Sequence, residues 1–323
     1  METRKLGWTD FNLSTVGLGT FAFGDRDWQG SWGKQDDNDS IATVLAAVDS
    51  GINWLDTAPI YGVGHSEEVV GMALKKLAKK PIVSTKCGLF ADNEGRVINR
   101  IKGNSIKAEV DVSLKRLGID IIDLYHVHWP VPDEDIEEAW TAISEIIKAG
   151  KVRYAAASNF SVSQLKRIQP IHPISALQVA YSMIDRGIEN ELLPYCKQNS
   201  IGVVAWGPIA HGLLSGKFSR ERIKNLDPKD NFRRNIASCF QEPELSLNLD
   251  LAEGLLTIAE GNGLSLAQLA IAWVLRRPEV TSAIVGARRP AQIRETAATG
   301  NHELSPQTIT AIDRLLNERE KAR

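Results

Sequence analysis

The chain has 323 residues, 43% hydrophobic and 24% charged, with a formal net charge of −2. That balance offers no basic face for nucleic acid or an acidic membrane surface, and no run of about 18 apolar residues reads as a membrane span. Cys87, Cys196 and Cys239 lack the spacing of a disulfide framework or a zinc cluster, and the first residues lack the apolar run of a signal peptide, so the expected setting is the reducing cytoplasm.

Residues 4–14 predict a short hairpin, and 15–20, Thr-Val-Gly-Leu-Gly-Thr, a compact apolar strand. A loop carrying Trp28 and Trp32 follows. Ser40 is placed to cap a helix over 41–49, where Ile41, Val44, Leu45 and Val48 recur at helical spacing. The stretch 53–62, Asn-Trp-Leu-Asp-Thr-Ala-Pro-Ile-Tyr-Gly, starts as an apolar strand and breaks at Pro59 and Gly62. It sets Asp56 near a strand's C-terminal end and Tyr61 in the loop beyond. Ser66, followed by Glu67 and Glu68, reads as the N-cap and first-turn acids of a helix over 67–77.

Further strands are expected at 81–86, 121–128, 152–159, 176–182, 202–208 and 281–286. Helices are expected between them at 106–117, 136–148, 162–168, 191–198, 249–260 and 266–275, with Gly150 ending the second of these. Two more, over 291–298 and 307–318, close the chain. Residues 210–247 are polar and aperiodic, and a connection that long is expected to act as a lid or binding loop. Eight strands alternating with helices predict a single-domain (β/α)8 TIM barrel. An open doubly wound sheet is the competing topology.

Polar residues recur at strand C-terminal ends: Asp56, Lys86, His128, Ser158 with Asn159, and Gln178. On a barrel these ends share the face where active sites are built. A lysine ending so apolar a strand needs a counter-charge, and Asp56 can supply it. Tyr61 beside that cation is expected to have a lowered pKa and to serve as a proton donor near neutral pH. His128 can share the proton or bond a substrate oxygen. The same residues admit plainer readings: a structural ion pair, a Schiff-base lysine, or a metal pair in His126 and His128, for which no third ligand is evident. Gly17 and Gly19 only weakly echo a dinucleotide loop. The turn at Gly286-Ala-Arg-Arg-Pro-Ala-Gln joins a strand, two arginines and a helix N-terminus, a combination suited to phosphate.

Taken together, Leu55-Asp-Thr-Ala-x-x-Tyr-Gly62, Ser84-Thr-Lys86, Asp123-Leu-Tyr-His-Val-His-Trp-Pro130, Ser158-Asn159, Gly212-Leu-Leu-Ser-Gly-Lys217 and Gly286-Ala-Arg288 resemble the aldo-keto reductase family, in its bacterial branch with the Gly-Ala-Arg motif. The likeness runs nearly end to end and implies the (β/α)8 barrel. It implies a catalytic tetrad of Asp56, Tyr61, Lys86 and His128, with Tyr61 the general acid. It implies that Ser158, Asn159 and Gln178 hold a nicotinamide amide and that Trp206 stacks on its ring. Gly19, Thr20 and Phe21 would border the cofactor, and Gly207, Pro208, Leu213, Ser215 and Lys217 would follow its pyrophosphate. Gly286, Arg288 and Gln292 would approach the adenosine, with Arg288 facing a 2′-phosphate, which makes NADPH the expected cofactor over NADH. Thr296 stands where the family commonly carries asparagine. Trp28, Trp32, Phe90 and Trp129 are expected to wall an apolar pocket for a small carbonyl substrate. A cofactor-binding sensor or regulatory subunit on the same barrel is the alternative.

Overall fold

The computed structural model describes residues 1–24 and 28–323. Eight parallel strands close into a barrel: β1 (Val16–Gly19), β2 (Trp54–Asp56), β3 (Ile82–Cys87), β4 (Ile122–Val127), β5 (Val152–Ser158), β6 (Ala176–Ala180), β7 (Gly202–Trp206) and β8 (Val280–Gly286). Each strand neighbours the next in sequence, and β8 returns to β1, with Gly286 opposite Gly19. The strands are buried nearly throughout, as expected where helices cover the outside and side chains fill the bore. The open doubly wound alternative is thereby replaced by closure.

Register places the polar side chains. Residues level with one another on neighbouring parallel strands share a face. Lys86 lies level with His126, and His126 with Ala156, so these three form one inward layer. Below it the bore is filled by Trp54, whose indole nitrogen donates to Ser282 Oγ at 3.0 Å. Gly17 makes room for that ring, because a Cβ there would sit 2.0 Å from Trp54 Cε2. Gly17→Ala should therefore cost about 1–3 kcal/mol of stability through overpacking, read as a lower thermal midpoint. An unchanged midpoint would mean that the indole moves aside freely.

The barrel's lower end is plugged. The expected N-terminal hairpin forms from Thr3–Lys5 and Asn12–Ser14, and Leu6, Phe11 and Leu13 pack against Trp54, Leu124 and Ala156.

Helix boundaries differ from expectation in instructive ways. The first helix, Asp37–Asp49, is capped by Asp36, whose carboxylate accepts from the backbone of Asn38 and Asp39. Ser40 lies inside it, because the acid-rich run ahead of the apolar stripe supplies a better cap one turn earlier. The second helix, His65–Leu74, starts after Gly64 in a left-handed conformation, so Ser66 is not a cap. Its hydroxyl is buried and donates to Thr20 O at 2.9 Å, knitting the helix to the loops after β1 and β2. A hairpin of Leu89–Ala91 and Val97–Asn99 was not expected, its strands being too short to show a period. The helix expected over 249–260 spans Glu244–Gly261, and the last one runs to Ala322. The aperiodic stretch after β7 holds short turns at Ala210–Ser215 and Phe232–Ile236 and one brief helix, Arg220–Lys224. Among the described residues no single helix is long and apolar enough to cross a membrane.

Candidate active site

Four side chains expected to meet do meet, at the C-terminal mouth of the barrel. Lys86 is fully buried near the end of β3. Its ammonium donates to Asp56 Oδ2 at 2.7 Å, to Thr57 O at 2.9 Å and to Tyr61 Oη at 3.2 Å. An ammonium has three N–H groups, and all are committed. Asp56 Oδ1 accepts from Ser84 Oγ at 3.1 Å and from Gln178 Nε2 at 2.8 Å. Ser84 figures in the sequence only as part of a motif and is given no role there, although its position two residues before Lys86 puts it on the same strand face. The carboxylate is further fixed through its backbone, since Thr20 donates to Asp56 O from both N–H (2.9 Å) and hydroxyl (3.0 Å).

Tyr61 is held by a contact only glycine allows. A Cβ on Gly24 would lie 2.4 Å from Gly62 N, and Gly62 itself has φ +61. The two loops thus touch backbone to backbone beside Tyr61. His128 follows β4, with its ring 5.9 Å from the Tyr61 ring and nearly edge-on.

The expected lowering of the Tyr61 pKa is overturned. Burial pushes the phenol above its ordinary value; Lys86 pulls it down, Asp56 pushes it up again, and the net direction is upward. Sequence showed the cation but not the depth of the site. Burial alone would lower Lys86, yet the charges of Asp56 and Tyr61 raise it overall, so the ammonium is retained. Burial, then the nearby Lys86 charge, drives His128 well below the usual histidine range, so it is neutral. Burial likewise brings His126 to about 4.

The residues expected to hold a cofactor ring the same mouth. Asn159, with φ +62 at the end of β5, donates to His128 O and Ser158 Oγ, each at 3.0 Å. It also accepts from the Trp206 indole at 3.1 Å, which leaves its carbonyl one lone pair for a ligand. Gln178 is shared with Asp56. Gly207 and Gly286 fit a bulky ligand: a Cβ at either would meet nothing closer than 4.0 Å, and Gly207 has φ +68. These open positions beside the half-buried Trp206 suit an extended dinucleotide. Pro208 and Leu213 are buried, so Leu213 offers only backbone there, while Ser215 and Lys217 lie farther out along the lid. Gln292 Oε1 accepts from the backbone of Arg288 and Arg289, shaping that turn. The Thr296 hydroxyl turns back to Gln292 O at 3.1 Å.

The aromatic wall is only partly the expected one. Phe21 is its centre, 4.9 Å from Tyr61, 5.5 Å from Trp28 and 5.1 Å from Trp32. Phe232 joins from the lid, 5.4 Å from Phe21, and His211 packs 4.9 Å from Phe232 and 5.9 Å from Trp206. No periodicity marked either residue in the sequence. Phe90 instead lies under the Arg100 guanidinium, 4.2 Å from ring centre, and lines an outer groove of about 700 Å³ beside the helix Gly103–Leu117. Trp129 is 41% exposed at the rim.

The profile of the Aldo/keto reductase family matches residues 15–317. The chain belongs to the aldo-keto reductase family. It is 36% identical to the aldo-keto reductase YhdN of Bacillus subtilis, over 98% of this chain and 94% of that one. It is 35% identical to the NADH-specific methylglyoxal reductase of Escherichia coli, over 97% of each. The solved glycerol dehydrogenase from Gluconobacter oxydans superposes with a TM-score of 0.87 at 35% identity, covering 98% of this chain and 95% of that one. This aldo-keto reductase is thus an NAD(P)H-dependent oxidoreductase built on a (β/α)8 barrel.

Proposed function

We propose that this aldo-keto reductase reduces aldehydes and ketones to alcohols with NADPH, and that Tyr61 is the proton donor. The observation that carries the reading is the ammonium of Lys86, whose three N–H groups go to Asp56, to Thr57 O and to the phenol oxygen of Tyr61. The bound cofactor supplies a hydride from its nicotinamide C4. Tyr61 gives its proton to the carbonyl oxygen, and Lys86 stabilises the phenolate that is left. Neutral His128 orients the same oxygen by a hydrogen bond. Ser158, Asn159 and Gln178 would hold the nicotinamide amide, and Trp206 would face its ring. Arg289, exposed at the start of the helix Pro290–Ala297, supports NADPH over NADH, while the Arg288 side chain is committed to the loop before the first helix.

Phe21, Trp28, Trp32 and Phe232 favour aromatic or medium-sized aldehydes. Relatives named for methylglyoxal and glycerol bring small oxygenated carbonyls and polyols into the same test. The test is fluorescence titration with NADPH and NADH, followed by steady-state turnover on a carbonyl panel. Tight binding with negligible turnover on every compound would favour the sensor reading instead.

The pH profile offers a separate check. Reduction needs protonated Tyr61, and burial raises its pKa. The protonated form is therefore complete at neutral pH and is lost only above the ordinary phenol value of about 10. His128, already neutral, adds no limb near 6.5. The chemical step, isolated in single turnovers, is expected to be flat from about pH 6 to 9 and to fall beyond about 10. An alkaline limb centred near 7 would contradict the direction given for Tyr61.

A further inference from the structure

The loop between β1 and the first helix is clasped from two sides. On one side, Arg288 Nε donates to Gln35 Oε1 at 2.7 Å, and Gln35 Nε2 returns a hydrogen bond to Arg288 O at 2.9 Å. The same guanidinium donates to Trp32 O at 3.5 Å and to Lys34 O. Gln35 is buried, and its amide also reaches Ser40 Oγ at 3.1 Å. On the other side, Arg233 from the lid lies 4.0 Å over the Trp32 ring and pairs with Asp230 at 2.6 Å. Phe232 N donates to Ser31 O at 3.2 Å and Asn231 Nδ2 to Gln29 O at 2.5 Å.

Arg288 therefore spends its Nε–H and one N–H of each terminal nitrogen on three successive parts of one loop. An arginine that reads phosphate presents a fork of parallel N–H groups to the ligand, and this fork already faces chain acceptors. Arg289 is different: it is exposed, at the start of the helix Pro290–Ala297.

We infer that Arg288 is the latch of loop 28–36, a positioning residue that fixes Trp32 and its loop at the barrel mouth, and that any 2′-phosphate is met by Arg289. The latch ties the end of β8 to the aromatic wall, so the wall stands only when the loop is fastened. The inference rests on the NADPH reading only where it assigns Arg289. The latch itself is a property of the chain without cofactor.

The first test is hydrogen exchange on the cofactor-free protein. Amides of residues 28–36 should exchange at least tenfold faster in Arg288→Ala, and also in Gln35→Leu, which removes the reciprocal partner without changing charge. Arg289→Ala should leave them unchanged. The second test is titration with both cofactors. Arg288→Ala should weaken NADPH and NADH by a common factor, within threefold of each other. Arg289→Ala should weaken NADPH at least tenfold and leave NADH alone. Unchanged exchange in both latch variants overturns the inference, and so does a tenfold selective loss of NADPH in Arg288→Ala. If neither arginine variant discriminates between cofactors while exchange accelerates as stated, the latch stands and the NADPH preference falls.

Discussion

Tyr61→Phe is expected to lower kcat for carbonyl reduction by about 10²–10⁴-fold, the range a positioned general acid supplies, while cofactor binding stays within about threefold of the parent. The substitution removes one oxygen and leaves the ring, so the contacts with Phe21 at 4.9 Å and His128 at 5.9 Å remain. Lys86 loses one of three acceptors but keeps Asp56 and Thr57 O. The fold should thus be intact, and the loss should fall on the chemical step rather than on binding. Single-turnover rates with saturating cofactor make the separation. Residual turnover above about a tenth of the parent would remove Tyr61 from the role of proton donor.

The largest effect on stability should come from splitting the Asp56–Lys86 pair. Both side chains are buried, and they meet at 2.7 Å. Lys86→Met leaves the Asp56 carboxylate with Ser84 and Gln178 as its side-chain donors and no cation, and such an orphaned charge typically costs about 3–5 kcal/mol. Asp56→Leu strands the ammonium at a similar cost. The double variant Asp56→Leu/Lys86→Met removes both charges and should recover most of that loss, because buried ion pairs often do no better than apolar residues of like volume. Activity should be lost in the two variants without Lys86, where no cation remains beside Tyr61, and in Asp56→Leu, where the ammonium loses the carboxylate that holds it against the phenol. Thermal melts of the four proteins complete the cycle. A double variant as unstable as the sum of the singles would show that the pair is not the coupled unit described.

Much of the geometry of this site is legible in the amino-acid sequence. Lys86 announced itself as a charge at the end of an apolar strand, and Asp56 as the charge nearest it on the strand before. The eight strands were legible because each is a short apolar run bounded by glycine, proline or a helix. What the sequence hid was depth and distance. The Tyr61 phenol is raised rather than lowered because its burial outweighs its neighbour, and burial is a property of the assembled mouth. Gln35 and Arg288 lie 253 positions apart, and no spacing rule joins them. His211 and Phe232 sit in a segment without period, so their places in the aromatic wall follow from how the lid folds back on Trp32 and Trp206. Phe90 looked equivalent to the loop tryptophans, but the hairpin after β3 carries it to an outer groove.

The plugged floor of the barrel has one more consequence. Leu6, Phe11 and Leu13 seal the end opposite the mouth, and Trp54 fills the bore above them. Dissolved ions cannot approach Asp56 and Lys86 from below, and buried charges are screened far less than exposed ones. The electric field those two residues set up at the phenol is consequently insulated from the bathing electrolyte. Added salt can alter how charged molecules arrive at the protein, but it has little hold on the proton transfer itself.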